Sequence, residues 1–176
     1  GGTNYPGDLT KALAAGACIL NDQWALKKEP GLVQLAAAKG VPIILMHNQE
    51  GTEYQDLLSD VIASLRKSIK VALDAGVPRK NVIVDPGIGF GKTWEQSLEI
   101  MRRLGELKAL GRPIMVGPSR KSFIGRVLNL PAEERLEGTA TAVALAIAGG
   151  ADIVRVHDVK EMARVCRMAD ALVRGT

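Results

Sequence analysis

Short apolar runs alternate with longer stretches in which apolar residues recur every three or four positions. The short runs are typical of buried β-strands and the longer stretches of helices. The predicted strands are Ala17–Asn21, Pro42–His47, Asn81–Asp85, Pro113–Gly117 and Asp152–His157. The predicted helices are Asp8–Ala15, Gln55–Ala75, Trp94–Leu110, Pro131–Ala148 and Lys160–Val173.

Each predicted strand is apolar nearly throughout, as expected when helices cover both faces of a parallel sheet. The helices tend to end in glycine just before the next strand, a residue that adopts the left-handed C-terminal position at little cost. The pattern therefore predicts α/β architecture in one domain over residues 1–176. Counting strands leaves two folds open, a five-stranded doubly wound sheet or part of a barrel.

The composition and the lengths of the apolar runs exclude several classes of protein. Hydrophobic residues make up 47% of the 176 residues and aromatic residues 3%, so the expected core is aliphatic. No apolar run approaches the roughly 18–20 residues that span a bilayer, and the N-terminus shows no signal-peptide pattern, so no membrane partner and a cytoplasmic location are expected. Cys18 and Cys166 are expected to be buried free thiols, with no zinc site.

The net charge of +4 is spread among acids and shows no basic run interleaved with aromatics. Nucleic-acid binding is therefore not expected, and the excess positive charge fits an anionic small substrate.

Polar groups follow every predicted strand. The strand ends carry Asn21, the Met46-His47-Asn48 segment, Asp85, the segment GPSRKSFIG from Gly117 to Gly125, and RVHDV from Arg155 to Val159. Because parallel strands place their carboxyl ends on one side of an α/β fold, these groups predict a shared ligand pocket there.

Asp85 opens the segment DPGIGFGK. Its glycines would let backbone approach a ligand, and Phe90 could offer a flat apolar face. A strand-to-helix turn capped by Asp85 explains the same residues equally well. The glycine spacing is not that of a dinucleotide fingerprint.

The later strand ends favour anion binding. Ser119, Arg120, Lys121 and Ser122 place donors at the start of a short predicted helix. Arg155 and His157 lie two positions apart on a predicted strand, with Val156 between them, so both side chains should point to the same side. The competing interpretation is that Arg155 forms a surface pair with Asp158 or Glu161. No nucleophile elbow or carboxylate pair accompanies these residues, so they suit binding of a polar heterocycle and release of an anionic leaving group.

The sequence resembles the dihydropteroate synthase family. The matching pieces are ILNDQWAL, PIILMHN, VIVDPGIGFGK, GPSRKSFIG, EGTATA and IVRVHDV, in the family's order. The resemblance implies a (β/α)₈ TIM barrel, of which this chain holds about five βα units, strands 4 to 8. It also implies a transferase of folate biosynthesis that joins 6-hydroxymethyl-7,8-dihydropterin diphosphate to 4-aminobenzoate, giving 7,8-dihydropteroate and diphosphate.

The resemblance also assigns roles to residues. Asn21, Asp85 and Lys121 would hold the pterin, in a pocket lined by Met46 and Gly117. Arg155 and His157 would hold the departing diphosphate and, with Lys121, carry the catalysis. The aminobenzoate site, where sulfonamides compete, would be bordered by Phe90, Lys121 and Ser122.

Part of the family pattern is not matched. The asparagine that helps bind the family's Mg²⁺ and the Thr-Arg-Pro loop belong to strands that precede this segment. The aspartate of the family's third strand would fall at Gly2, which has no carboxylate. The resemblance further implies a homodimer through the late helices, with Thr139–Ala148 and the last helix as candidates. Two alternatives stay open: a non-catalytic pterin-binding module, and a pterin-dependent corrinoid methyltransferase.

Overall fold

The computed structural model describes residues 6–28 and 31–175. Within these residues the strands are β1 Leu20–Asp22, β2 Ile43–Met46, β3 Val82–Asp85, β4 Met115–Val116 and β5 Ile153–Val154. The α-helices are α1 Pro6–Ala14, α2 Gly31–Lys39, α3 Leu57–Asp74, α4 Trp94–Arg102, α5 Ser122–Leu128, α6 Leu136–Ala148 and α7 Val159–Arg174. Short 3₁₀ segments lie at Arg79–Asn81, Leu104–Leu110 and Ala132–Glu134.

All strand pairs are parallel and follow the order of the chain. β1 pairs with β2, β2 with β3, and β4 with β5. A parallel bridge between Val84 and Ile114 connects β3 to the start of the β4 region. A doubly wound sheet would reverse its strand order at a switch point, whereas the wall of a barrel keeps neighbours in chain order. The observed order is that of a barrel wall.

Alternate residues of the central strands enter different apolar clusters. Ile43, Leu45, Val82 and Val84 belong to the main core beneath the helices, while Ile44 and Ile83 pack with Met115 on the opposite face. Because successive side chains point to opposite faces of a strand, both faces of β2 and β3 are buried. The two-sided burial predicted from the sequence is therefore confirmed for these strands.

The edge of the fold departs from that prediction, because Ile153 on β5 is 37% exposed.

The observed helices differ from the predicted ones in three places. Helix α2 was not among the predicted helices, since GLVQLAAAK is apolar nearly all round. The predicted helix Trp94–Leu110 changes to 3₁₀ geometry after Arg102. The predicted helix from Pro131 begins only at Leu136.

The prediction that both cysteines are buried is wrong. Cys18 lies in the exposed connection between α1 and β1, and its thiol donates to the Gly16 carbonyl. Cys166 on α7 is only partly covered. In the described part of the chain, no helix combines the length and apolarity that crossing a membrane would need. The expectation about Gly2 lies outside the described residues.

Candidate active site

A cavity of about 380 Å³ lies at the carboxyl ends of the strands. Five of the residues predicted from the sequence line it: Asn21, Gly117, Lys121, Arg155 and His157. Ser119, one of the donors predicted to bind an anion, lines it as well, and so does Gln23, which received no role from the sequence. A larger cavity of about 510 Å³ lies among α4, α5 and α6, but its walls are mainly apolar and it holds none of the predicted site residues.

Asp85 ends β3 beside this cavity and is 1% exposed. Its Oδ1 accepts a hydrogen bond of 2.8 Å from the Gly87 amide, but its Oδ2 is buried and has no hydrogen-bond partner among the described residues. The nearest cation is Arg155, whose Nη2 lies 3.9 Å from Oδ2. Burial raises the pKa of Asp85, against the opposing effects of the Gly87 N–H and the charges of Arg155, Lys121 and Lys92. A buried acceptor without a donor is costly, so a ligand N–H at Oδ2 would be favourable.

The glycine loop after Asp85 is packed directly against the end of β2. Gly87 has a φ of +73°, and a Cβ there would lie 1.9 Å from the carbonyl oxygen of His47. Only glycine fits both the conformation and the space. This close crossing presents the Gly87 amide to Asp85.

Lys121 comes from the loop after β4 and approaches the same point. Its Nζ lies 4.2 Å from the centroid of the Phe90 ring, a cation–π distance. Burial lowers the pKa of Lys121, the charge of Arg155 lowers it further, and Asp85 opposes both. The β3 and β4 loops thus meet through an ammonium group and an aromatic face.

Arg155 and His157 lie beyond β5 on the cavity wall. The absence of a side chain at Gly117 makes room for the Arg155 guanidinium, because a Cβ there would lie 3.2 Å from Nη2. His157 Nδ1 is 2.8 Å from Ser119 Oγ, which also accepts from the His157 backbone N–H. When the hydroxyl donates to Nδ1, the neutral ring carries its proton on Nε2.

The alternative that Arg155 forms a surface pair with Asp158 or Glu161 is wrong. Asp158 pairs instead with Arg120, at 2.6 Å. That ion pair ties the loop after β4 to the loop after β5. Arg120 has a φ of +56°, a backbone conformation that the sequence did not reveal.

The remaining predicted residues lie around this centre. Met46 is fully buried and pairs with Asp85 across β2 and β3. Ser122 begins α5, is exposed, and lines a neighbouring cavity with Arg126 and Arg135. The structure thus brings Asn21, Gly117, Lys121, Arg155 and His157 together beside Asp85, and leaves Ser122 at the margin.

Sequence reasoning also missed a buried pair behind the loop. Lys92 Nζ lies 2.9 Å from His47 Nδ1 and donates to the Phe90 carbonyl. His47 and Lys92 lie in segments whose other residues carried the predictions. The one signal in the sequence was a lysine at the end of a glycine loop, and this does not reveal its partner.

Among residues 6–28 and 31–175, no three His, Cys, Asp or Glu side chains gather closely enough to hold a metal ion. The described residues therefore offer no such cluster, and the asparagine that the resemblance implies as magnesium ligand is not among them. The chemistry available here comes from one carboxylate, amides, hydroxyls and cations.

Parallel strands in chain order, with polar groups gathered at their carboxyl ends, define a ligand-binding α/β protein of barrel type. Residues 3–157 match the family model described as pterin binding enzyme. The chain belongs to this family.

Curated relatives that are similar to this chain include dihydropteroate synthases. The chain is 51% identical over 163 residues to the dihydropteroate synthase of Bacillus subtilis, covering 93% of this chain and 57% of the relative. It is 48% identical over 172 residues to that of Synechocystis, covering 93% of this chain and 60% of the relative. The chain thus spans less than two thirds of the length of these curated relatives.

Solved structures of dihydropteroate synthases are also similar to this chain. A dihydropteroate synthase from Clostridium difficile, crystallised in the presence of pteroic acid, superposes with a TM-score of 0.94 at 42% identity, over 97% of this chain and 65% of the other. The Thermus thermophilus enzyme in complex with 6HMPPP gives 0.89 at 39% identity, over 97% and 68%. The Yersinia pestis enzyme gives 0.92 at 35% identity, over 99% and 71%.

Proposed function

We propose that this chain supplies the pterin pocket and the leaving-group site of a dihydropteroate synthase. The reaction would join 6-hydroxymethyl-7,8-dihydropterin diphosphate to 4-aminobenzoate and release diphosphate. The observation that carries the proposal is the buried Oδ2 of Asp85, which has no hydrogen-bond partner within the described ranges and lies beside a cavity lined by cations. A flat heterocycle with N–H groups would supply the missing donor.

The pterin end of the substrate would bind to the β1 and β3 side of the cavity. Asp85 accepts from ring N–H groups, and the Asn21 carboxamide can both donate and accept. Met46 and Gly117 would border the ring. Fixing the ring in this way holds its methylene carbon in place for attack. This lowers the entropic part of the activation free energy of the condensation.

The diphosphate end would face the β4 and β5 side. Arg155 offers a planar fork of donors that matches phosphate oxygens. Lys121 adds a second positive charge, and His157, oriented by Ser119, adds an N–H donor. As the C–O bond breaks, negative charge grows on the diphosphate, and these groups stabilise it more strongly than in the bound substrate.

The 4-aminobenzoate would enter on the side of Phe90 and Ser122. Its amine nitrogen forms the new C–N bond and then loses a proton. We place Phe90, Lys121 and Ser122 at this border, the region where a sulfonamide would compete.

The residues 1–176 are proposed to be one pterin-binding domain that corresponds to βα units 4 to 8 of a TIM barrel. The order of the five described strands supports this assignment. The magnesium ion of the family would be bound by residues other than those described here. A cytoplasmic location, with neither a membrane nor nucleic acid as partner, completes the proposal.

We further propose a homodimer through the late helices. Leu145 on α6 is 63% exposed and Leu172 on α7 is 74% exposed. The apolar cavity among α4, α5 and α6 adjoins Leu145. Sedimentation of the wild-type chain and a Leu145→Glu variant tests this, since the variant should sediment as the smaller species.

The proposed activity is tested by incubating the chain with both substrates and magnesium and following dihydropteroate and diphosphate. Formation of both in equal amounts supports a synthase. Pterin binding without product would favour the non-catalytic module. Methyl transfer from methyltetrahydrofolate to a corrinoid would favour the methyltransferase alternative.

A further inference from the structure

A buried lysine joins the glycine loop to the end of β2. Lys92 is 8% exposed, and its Nζ lies 2.9 Å from His47 Nδ1 while it donates to the Phe90 carbonyl, also at 2.9 Å. An ammonium group is rarely buried without such partners, because its desolvation is costly. The contacts span two strands, since His47 follows β2 and Phe90 belongs to the loop after β3.

The partner histidine accepts this hydrogen bond as a neutral ring. Burial, together with the charges of Lys92 and Lys27, lowers the pKa of His47 to about 3. The neutral ring can accept at Nδ1 when its proton is on Nε2. Tyr54 lies near the same ring, with centroids 6.0 Å apart, and its hydroxyl donates to the Gly91 carbonyl.

Lys92 also lies directly behind the backbone that supports Asp85. A Cβ on Gly87 would lie 3.3 Å from Lys92 Nζ, and the Gly87 amide donates to Asp85 Oδ1. At its other contact Lys92 fixes the Phe90 carbonyl, and the Phe90 ring lies under Lys121. Lys92 itself is not among the residues that line the cavity.

We propose that Lys92 is a positioning residue of the pterin site, which anchors the Gly87–Gly91 loop to His47 and so fixes Asp85 and the Phe90 ring. This inference rests on the proposed pterin-binding function. The positive charge of Lys92 also lowers the pKa of Asp85, so it favours the ionised carboxylate that a pterin would need. The charged and titratable groups around it are His47, Asp85 and Lys27, with Tyr54 beyond the His47 ring.

The test compares Lys92→Met, Lys92→Gln and the control Lys80→Met in the full chain. Lys80 is an exposed lysine near the opposite end of β3. The probe is 6-hydroxymethyl-7,8-dihydropterin, titrated by calorimetry between pH 5 and 9, with thermal unfolding measured for each protein.

Wild type and Lys80→Met should bind alike. Loss of a charge-assisted hydrogen bond in Lys92→Met should weaken binding about tenfold or more. In both Lys92 variants the acid limb of the binding profile should move to higher pH, because the lost positive charge no longer favours ionised Asp85. The glutamine variant keeps an N–H donor, so it should bind more tightly than the methionine variant and serves as the test should Lys92→Met not fold.

The outcomes distinguish a failure of the positioning role of Lys92 from a failure of the proposed pterin-binding function. If wild type binds the probe and the Lys92 variants bind with unchanged affinity and an unmoved acid limb, the positioning role is wrong and the proposed function survives. A lower unfolding temperature with an unmoved acid limb also overturns it, since that describes a structural role only. If wild type itself does not bind the probe, the pterin function fails and this inference fails with it.

Discussion

The Oδ2 oxygen of Asp85 and the guanidinium of Arg155 lie 3.9 Å apart, although Asp85 ends β3 and Arg155 follows β5. In the part of the chain that the structure describes, no hydrogen bond satisfies that oxygen. The separation lets Arg155 stabilise the carboxylate charge while its donors still reach the cavity. One site can therefore bind a hydrogen-bond donor on one side and an anion on the other.

Arg155→Met should separate these two functions. We expect it to weaken binding of dihydropterin diphosphate by about 10- to 100-fold, the effect of losing charge-assisted hydrogen bonds to phosphate. Binding of the hydroxymethyl-dihydropterin, which lacks phosphate, should change much less. Calorimetry with both ligands measures the difference, and Arg66→Met, at an exposed position on α3, is the control. Equal losses for both ligands would contradict an anion-binding role.

Ser119→Ala tests the orientation of His157. Without the hydroxyl, the His157 ring loses its 2.8 Å partner and should populate other rotamers and tautomers. Turnover should fall about tenfold, typical of a lost orienting hydrogen bond, while pterin affinity stays near wild type. Ser122→Ala is the matched control and should act mainly on the KM for 4-aminobenzoate. A Ser119→Ala enzyme with wild-type turnover would show that His157 needs no orienting partner.

Much of this site could be predicted from the sequence, because strand ends are defined by hydrophobic pattern. Asn21, Asp85, Lys121 and Arg155 each follow an apolar run, and parallel strands must bring such residues to one side. The pairs Lys92–His47 and Arg120–Asp158 could not be predicted, since they depend on how loops cross in space. Helix α2 was missed because its apolar residues show no clear one-sided spacing. The 37% exposure of Ile153 was missed because an apolar run does not reveal that it lies at an edge.

Gly87→Ala should disrupt the loop. The left-handed conformation alone costs a non-glycine residue about 1–3 kcal/mol. The overlap of the new Cβ with the His47 carbonyl adds to this. Gly16→Ala separates the two effects, since Gly16 also has positive φ but nothing lies within 4 Å of its Cβ position. Chemical denaturation should show a clearly larger loss for Gly87→Ala, and similar losses would mean that the loop moves aside easily.

His47 should make the protein sensitive to acid. Its pKa is lowered to about 3 in the folded protein, from an ordinary value of 6.5, so the unfolded chain takes up a proton first. The stability that His47 contributes is present above pH 6.5 and is lost as the pH falls from 6.5 towards 3. The expected slope is about 1.4 kcal/mol per pH unit.

The slope is measured by chemical denaturation between pH 6.5 and 5, before most carboxylates titrate. His47→Gln keeps an acceptor for Lys92 but cannot take up the proton, so its curve should be flatter in this range. Lys80→Met, at an exposed position, is the control and should keep the wild-type slope. If the His47→Gln and wild-type curves are parallel, burial of His47 does not set the acid sensitivity.

The most direct test of the pterin site is calorimetric binding of 6-hydroxymethyl-7,8-dihydropterin to wild type and Asp85→Asn at neutral pH. Asparagine keeps the shape of the side chain but removes the charge and replaces one acceptor oxygen with a donor. We predict that binding weakens by about 100-fold, while the unfolding temperature holds or rises because a buried, unsatisfied charge is gone. Asp85→Asn binding the pterin as tightly as wild type would contradict the account.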